Sequence, residues 1–146
     1  MQIIDRYTIN LLFMPKTIIS PKKMEIPKQG QYKRYRLMGV PENYKFIIDF
    51  DRQGKIEDKI KLQLRYRQSP IVRLEINARP HINPDGTIIS GNHMHILDIT
   101  NKLNWAYELD KVFYCDIINI SVAERFVCFC KYCNISLYNI NLQGVF

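Results

Sequence analysis

All three histidines of this 146-residue chain lie in one short stretch, RPHINPDGTIISGNHMHI, at residues 79–96. They are His81, His93 and His95. Histidine is the side chain whose ordinary pKa lies nearest to neutral pH, and it is also a common metal ligand. If the end of this stretch is a strand, His93 and His95 point to the same face, because side chains alternate along a strand.

The preceding segment, IVRLEIN, brings two more candidates to that face if it pairs with the histidine strand. Arg73 and Glu75 alternate there with apolar residues. Two imidazoles, a carboxylate and a guanidinium on one solvated sheet face predict a phosphodiester site that needs no metal or other cofactor. One of His93 and His95 would take the proton from a ribose 2′-hydroxyl, and the other would protonate the leaving oxygen. Arg73 would stabilise the charge that develops on the phosphorus oxygens.

Two other interpretations of the histidines stay open at this point. In one, His93 and His95 are hydrogen-bonded residues that brace the loop, while His81 and Asp85 fix its turn. In the other, they chelate a metal ion with a third ligand from His81, Asp85 or Glu75, although the sequence has no standard zinc spacing.

The elements that would position these residues are predicted by apolar and polar residues that alternate. In KIKLQLRYRQ, residues 59–68, the alternation places one face in the core and the other in water. The tetrapeptide NPDG at 83–86 has proline and glycine at the second and fourth positions of a type I turn. We predict a mostly antiparallel sheet of roughly four to six strands. Its clearest strands lie near 44–51, 59–67, 71–77 and 93–97.

Two helices are predicted beside the sheet. Ser121 and Glu124 form a capping box, which is typical of a helix start. A helix at 121–133 should cover the apolar face of the sheet, and a short N-terminal helix should end near Met14, where a proline follows. The covering residues on one helical face are Val122, Phe126 and Phe129. These elements predict one α+β domain over residues 1–146.

Three cysteines in the C-terminal helix have a spacing that suggests a metal or redox cluster at first sight. On a helix, however, Cys130 and Cys133 share a face while Cys128 points elsewhere, and a fourth ligand is missing. A cysteine thiol otherwise behaves as a small buried hydrophobe. We therefore predict that these residues pack in the core and bind no zinc.

The chain is basic, with 21 Lys and Arg against 14 Asp and Glu, and its formal charge of +7 attracts nucleic acid or an acidic protein. KRYR at 33–36 and RYR at 65–67 interleave cations with tyrosines, which suits single-stranded nucleic acid as well as a solvated strand face. The predicted nucleic-acid contacts are Lys33, Arg34, Arg36, Lys61, Arg65 and Arg67. Because Asp5 and Arg6 interrupt the first apolar segment, we expect a cytoplasmic protein without a signal peptide or membrane partner.

The block RLEINARPHINPDGTIISGNHMHI, followed by NWAYEL, resembles a family of small uncharacterised proteins of Gram-positive bacteria and their prophages. The resemblance runs from about Leu12 to Cys133. More loosely, the histidine hairpin is similar to TumE-like toxins of toxin–antitoxin modules. The site residues that the resemblance implies are Arg73, Glu75, His81, Asn83, Asp85, His93, His95 and Trp105. The family usually has Arg, Pro and Tyr where this chain has Ile82, Asn92 and Leu97.

Charge and resemblance together predict a small toxin-like protein of a bacterial or prophage conflict system that acts on RNA. In this hypothesis it is a metal-independent endoribonuclease, with His93 and His95 as its acid–base pair and an acidic antitoxin or other protein as its partner. The departures from the family pattern support an alternative: a non-catalytic phage inhibitor, similar to anti-CRISPR proteins, that binds a nuclease or its guide RNA. A regulatory binding module is a third option.

Overall fold

A large, mostly antiparallel sheet and two helices form the fold. The computed structural model describes residues 4–21, 23–55, 58–113 and 116–143. The helices are α1 (Arg6–Phe13) and α2 (Val122–Tyr132), and a 3₁₀ helix spans Leu109–Lys111. The strands are β1 (Lys16–Ser20), β2 (Lys23–Glu25), β3 (Tyr32–Gly39), β4 (Lys45–Asp51), β5 (Ile60–Tyr66), β6 (Ser69–Ile76), β7 (His81–Ile82), β8 (Ile88–Ile89), β9 (His93–Ile96), β10 (Ala106–Glu108), β11 (Ile135–Ser136) and β12 (Asn141–Gln143).

Eight of these strands form the main sheet, in the order β10–β9–β6–β5–β4–β3–β1–β11. Neighbours are antiparallel except for β1 and β11, which are parallel. The expected number of strands was too low. The strands at the two ends, β10 and β11, have only three and two residues, too few to show a periodic pattern.

The four predicted strands are confirmed as β4, β5, β6 and β9, which lie in the middle and on one side of the sheet. Their register aligns polar residues in rows that cross the strands, because directly paired residues point to the same face. One row contains Arg34, Asp49, Gln63, Arg73 and His95. The next row contains Tyr32, Asp51, Lys61, Glu75 and His93.

The opposite face of the sheet carries the core, and α2 covers it as predicted. Phe126 stacks on Phe50 and meets Tyr35 edge-on, with ring centroids 5.5 Å apart in both pairs. Phe129 is fully buried too, whereas Val122 is only partly buried. Helix α1 ends where it was predicted to end, next to Met14, and its Leu11 and Leu12 belong to the same core.

The C-terminal ends of both helices meet at one buried cation, Lys16. Its ammonium donates hydrogen bonds to the carbonyls of Leu12 in the last turn of α1 (2.7 Å), of Met14 just after α1 (2.8 Å) and of Cys133 just after α2 (2.8 Å). Burial lowers the pKa of Lys16 to about 8. Lys16 thus satisfies carbonyls that each helix leaves without an intrahelical partner.

The cysteines of α2 pack as predicted where they are buried. Cys130 and Cys133 are fully buried in the core. Burial raises the pKa of the Cys133 thiol to about 12, so the reactive thiolate is disfavoured. Cys128 is half-buried at the edge of the core, and Cys115 lies outside the described residues. Among the described residues, no helix combines the length and apolar character needed to cross a membrane.

Candidate functional site

The predicted site residues meet where β6 pairs with β9. Arg73 lies opposite His95 and Glu75 opposite His93, in antiparallel register. All four side chains leave the face opposite the core, because their neighbours Leu74 and Met94 point into it. The expected pairing of these two strands across the intervening loop is therefore confirmed.

Both histidines contact the same carboxylate oxygen. Glu75 Oε2 lies 3.1 Å from the Nε2 atoms of His93 and His95. The other ring nitrogen of each contacts a backbone carbonyl: His93 Nδ1 is 2.6 Å from the oxygen of Ser90, and His95 Nδ1 is 2.6 Å from that of Leu103. Because a carbonyl oxygen only accepts hydrogen bonds, each Nδ1 carries a proton and donates it.

The expectation that both histidines lie on a solvated face is wrong. His93 and His95 are only 1% and 3% exposed. The chain between β6 and β9 folds back over this end of the face and is fastened to β10. The Asn83 side chain accepts a hydrogen bond from the Ala106 amide (2.8 Å) and donates one to its carbonyl (3.0 Å).

The loop residues divide into two groups. His81 joins the cluster, with its ring centroid 4.7 Å from that of His95, and it donates from Nε2 to the Asn104 carbonyl at 2.7 Å. Asp85 lies at the exposed tip of the predicted turn, where its carboxylate accepts from the Thr87 amide. Asp85 therefore shapes the turn and does not take part in the cluster.

The electrostatics of the cluster favour an ionised Glu75. Burial alone would raise the pKa of Glu75, but hydrogen bonds from His93 and His95 and the nearby Arg73 guanidinium hold it well below its ordinary range. Burial would likewise lower the pKa of His93, but the Glu75 carboxylate and the Ser90 carbonyl outweigh it and raise the pKa. The cluster thus holds an ionised Glu75 carboxylate, which favours positive charge on the groups around it.

The three contacting side chains are also arranged as metal ligands would be. One ligand atom each from Glu75, His93 and His95 lies within 4.8 Å of the other two. Arg73 borders this group, with Nε 3.7 Å from Glu75 Oε2. That Nε atom is buried and makes no hydrogen bond with the described part of the chain.

Next to the cluster, the outward side of β3–β6 forms a surface that we call the polar face. Six cations and three carboxylates share this face, so its balance is positive. Arg65 and Asp49 form a paired contact there, with Nε–Oδ2 and Nη2–Oδ1 distances of 2.5 and 3.0 Å. The cations are Arg34, Arg36, Lys45, Lys61, Arg65 and Arg73, and the carboxylates are Asp49, Asp51 and Glu75.

Two of the predicted nucleic-acid contacts do not lie on the polar face. Lys33 is paired with Phe50 in the register, so it leaves the helix-covered side of the sheet, and its ammonium is 3.5 Å from Glu25. Arg67 lies in the turn after β5, with its guanidinium carbon 5.3 Å from the centre of the Tyr66 ring. Arg34, Arg36, Lys61 and Arg65 are the predicted cations that the sheet brings together.

Residues 4–135 match one protein family along most of the chain. The chain belongs to the Family of unknown function (DUF6978). No curated protein and no solved structure matches it.

Sequence reasoning missed two features of this site. In the sequence, Asp49 looks like an ordinary outward-facing residue of a strand. In the structure it forms an ion pair with Arg65 and accepts further hydrogen bonds from Tyr32 and Gln63. The only signal was its place in the alternation of β4, which puts its side chain on the polar face. The cover over the histidines was missed too, because it depends on hydrogen bonds between distant segments.

Trp105, which the resemblance implied as a site residue, is half-buried beside that cover.

Proposed function

We propose that this protein acts on RNA, as a small toxin-like protein of a bacterial or prophage conflict system, and that its polar face holds the RNA strand. The observation that carries the proposal is the excess of six cations over three carboxylates on one face of β3–β6. This face leads directly to the cluster of Glu75, His93 and His95 through Arg73.

A sheet face of this kind suits a single strand, since cations can follow the phosphates while exposed rings stack on bases. Arg34 and Arg36 are exposed and alternate along β3, and Tyr32, 37% exposed, lies beside them. Lys61 lies in the row of Glu75, between Asp51 and the cluster. Arg65 contributes less charge because Asp49 pairs with it.

Cleavage of the bound RNA is the first candidate activity. A phosphate that reaches Arg73 would lie next to Glu75, where the cluster could act on it. For His93 and His95 to transfer protons themselves, their Nε2 atoms would have to turn from Glu75 towards the phosphate. This would require the covering β7–β8 hairpin to open, because both rings are buried.

The same burial favours a second candidate, a non-catalytic inhibitor that binds a nuclease or its guide RNA, similar to anti-CRISPR proteins. Such a protein needs the polar face and does not need accessible histidines. In that case His93 braces the end of the hairpin through its bond to Ser90, and His95 holds the loop between β9 and β10 through its bond to Leu103.

Binding is tested with a labelled single-stranded RNA at several salt concentrations. We expect the affinity to fall as salt rises, with a log–log slope of roughly −0.7 for each phosphate contacted. Lys61→Gln should reduce that slope by about one such unit. Lys131→Gln is the matched control, because Lys131 is exposed on α2, on the other side of the sheet, and it should behave as wild type.

The two candidates separate when the same RNA is incubated with the protein and examined for cleavage. Cleavage that is lost in His93→Ala while binding persists supports the endoribonuclease, because a general acid or base acts on the transition state. Binding without cleavage, together with inhibition of a CRISPR nuclease, supports the inhibitor. RNA binding that ignores salt, or that Lys61→Gln leaves unchanged, contradicts both.

A further inference from the structure

We propose that Glu75, His93 and His95 form a binding site for a divalent transition-metal ion such as Zn²⁺. The ligand atoms would be Glu75 Oε2 and the Nε2 atoms of the two histidines. This proposal adopts the metal interpretation of the histidines that the sequence left open, in place of the metal-free acid–base site, although the sequence has no standard zinc spacing. Pairing of β6 with β9 brings these ligands together from positions that no local spacing connects.

The hydrogen bonds of the two rings fix which nitrogen is available to a metal. His93 Nδ1 donates to the Ser90 carbonyl and His95 Nδ1 donates to the Leu103 carbonyl, both at 2.6 Å. In a neutral imidazole the other nitrogen, Nε2, then carries the lone pair. Metal-binding histidines almost always donate their second ring N–H in this way, which fixes the ring and makes it a better ligand.

The directions of the lone pairs explain why a cation is needed. Both Nε2 atoms point at the same oxygen, Glu75 Oε2, at 3.1 Å. Three electron-rich atoms that face one another repel unless positive charge lies between them. Protons on both imidazoles would also satisfy the two contacts, but they would bury two positive charges beside one carboxylate, whereas a single divalent ion satisfies all three atoms at once.

Two of the three distances between the ligand atoms agree with ligands around one ion. Nitrogen and oxygen ligands bind Zn²⁺ at about 2.1 Å, so neighbouring ligands lie roughly 3.0–3.4 Å apart in octahedral or tetrahedral geometry. The two nitrogen–oxygen distances here are 3.1 Å, and all three atoms lie within 4.8 Å of one another. On binding, the two imidazoles would have to bring their Nε2 atoms to within about 3.4 Å of each other, while Glu75 Oε2 is already at a ligand distance from both.

The donor set selects the class of metal. Imidazole nitrogens suit zinc, iron, nickel and copper, whereas Ca²⁺ and Mg²⁺ prefer oxygen ligands alone. Three protein ligands also leave a coordination position for water or for an oxygen of another molecule, as in catalytic zinc sites. Arg73 is placed to donate a hydrogen bond to that water or oxygen ligand. Its Nε–H is buried beside Glu75 and makes no hydrogen bond with the described residues.

The test uses the full chain, treated with a chelator and then titrated with Zn²⁺ by calorimetry, with Mg²⁺ as a comparison and no RNA present. We expect about one Zn²⁺ per chain, a higher Tm with Zn²⁺ and little response to Mg²⁺. Added Co²⁺ should give the visible absorption of a nitrogen- and oxygen-bound ion. Glu75→Gln and His95→Gln should each weaken Zn²⁺ binding on the order of 10- to 100-fold or more, since the loss of an outer-shell partner alone has that effect.

His81→Gln is the matched control, because His81 lies against the cluster while its Nε2 bonds to Asn104. It should bind Zn²⁺ as wild type does. Wild-type protein that is folded and binds no Zn²⁺ or Co²⁺ overturns the proposal, as does Zn²⁺ binding that survives in a folded Glu75→Gln variant. Because RNA is absent, these results are independent of whether the polar face binds RNA.

Discussion

The paired contact of Asp49 with Arg65 predicts that one substitution, Asp49→Asn, will lower stability and strengthen RNA binding. Asp49 accepts two hydrogen bonds from the Arg65 guanidinium, and Arg34 lies 3.9 Å from the same carboxylate. Asparagine keeps the size of the side chain and removes its charge. The change therefore breaks the ion pair and releases Arg65 and Arg34 to contact phosphates.

The expected loss of stability follows from burial. The side chains of Asp49 and Arg65 are 12% and 13% exposed. A surface ion pair contributes about 0–1 kcal/mol, whereas breaking a fully buried one costs about 3–5 kcal/mol. This mostly buried, paired contact should lie between them, so Asp49→Asn should lower the free energy of unfolding by about 2–3 kcal/mol. The salt slope of RNA binding should become steeper by about 0.7.

Urea unfolding and RNA titration in salt measure the two effects, with Asp51→Asn as the matched control. Asp51 is a carboxylate of the same face, but within the described part of the chain its side chain accepts a hydrogen bond only from the Gln53 amide. Asp51→Asn should change the salt slope of RNA binding by a similar amount, and it should leave the free energy of unfolding almost unchanged. If Asp49→Asn is as stable as Asp51→Asn, the pairing argument is wrong. If the folded Asp49→Asn variant binds RNA more weakly than wild type, the polar face does not hold RNA.

The acid stability of Asp49→Asn gives an independent check on the same pair. Burial alone would raise the pKa of Asp49, but hydrogen bonds from Arg65, Tyr32 and Gln63 outweigh it and bring the pKa below its ordinary value of 3.8. A carboxylate with a lowered pKa in the folded state stabilises the protein above its ordinary pKa, and this contribution is lost as pH falls below that value. The stability difference between wild type and Asp49→Asn should therefore shrink below about pH 4.

Three further substitutions test the supports of the fold. Lys16→Met leaves three helix-end carbonyls without their buried donor and should lower the free energy of unfolding, measured in urea, by about 3–5 kcal/mol, since each unsatisfied acceptor costs about 1–3 kcal/mol and the buried ammonium is removed; unchanged stability would contradict this role. Asn83→Ala removes both bonds to Ala106, so it should cost about 2–3 kcal/mol and speed hydrogen exchange at the Ala106 amide. Ser121→Ala removes the cap at the Glu124 amide and should cost about 1 kcal/mol, seen as a lower Tm.

The strands that the sequence predicts are those with one face in the core and one face outward. In β5, buried Ile60, Leu62 and Leu64 alternate with partly exposed polar residues, which leaves a clear period of two. The short strands at the two ends of the sheet show no such alternation. The short β11 pairs with β1 through Lys16 and Ile135, and nothing in the local sequence specifies so distant a partner.

The features of the site also differ in whether local sequence or contacts between distant segments determine them. Side chains alternate along β6 and β9, and the two strands pair. These two facts are enough to place Arg73, Glu75, His93 and His95 on one face, and both can be predicted from the sequence. Their burial depends on bonds between the Asn83 side chain and the Ala106 backbone, which are 23 residues apart. A pattern of residue types cannot predict such a contact, so the sequence predicted solvated histidines where the structure has covered ones.

The cations show why a run of charges in a sequence is not a charged surface. KRYR at 33–36 reads as one basic patch, but a strand sends alternate residues to opposite faces. Lys33 therefore lies on the side of Phe50, while Arg34 and Arg36 lie on the polar face with Lys61 of a strand two positions away. The register also places Asp49 between Arg34 and Gln63 in that face. The charge of the polar face is thus set by which residues pair across strands, and it includes the carboxylates that a count of nearby cations leaves out.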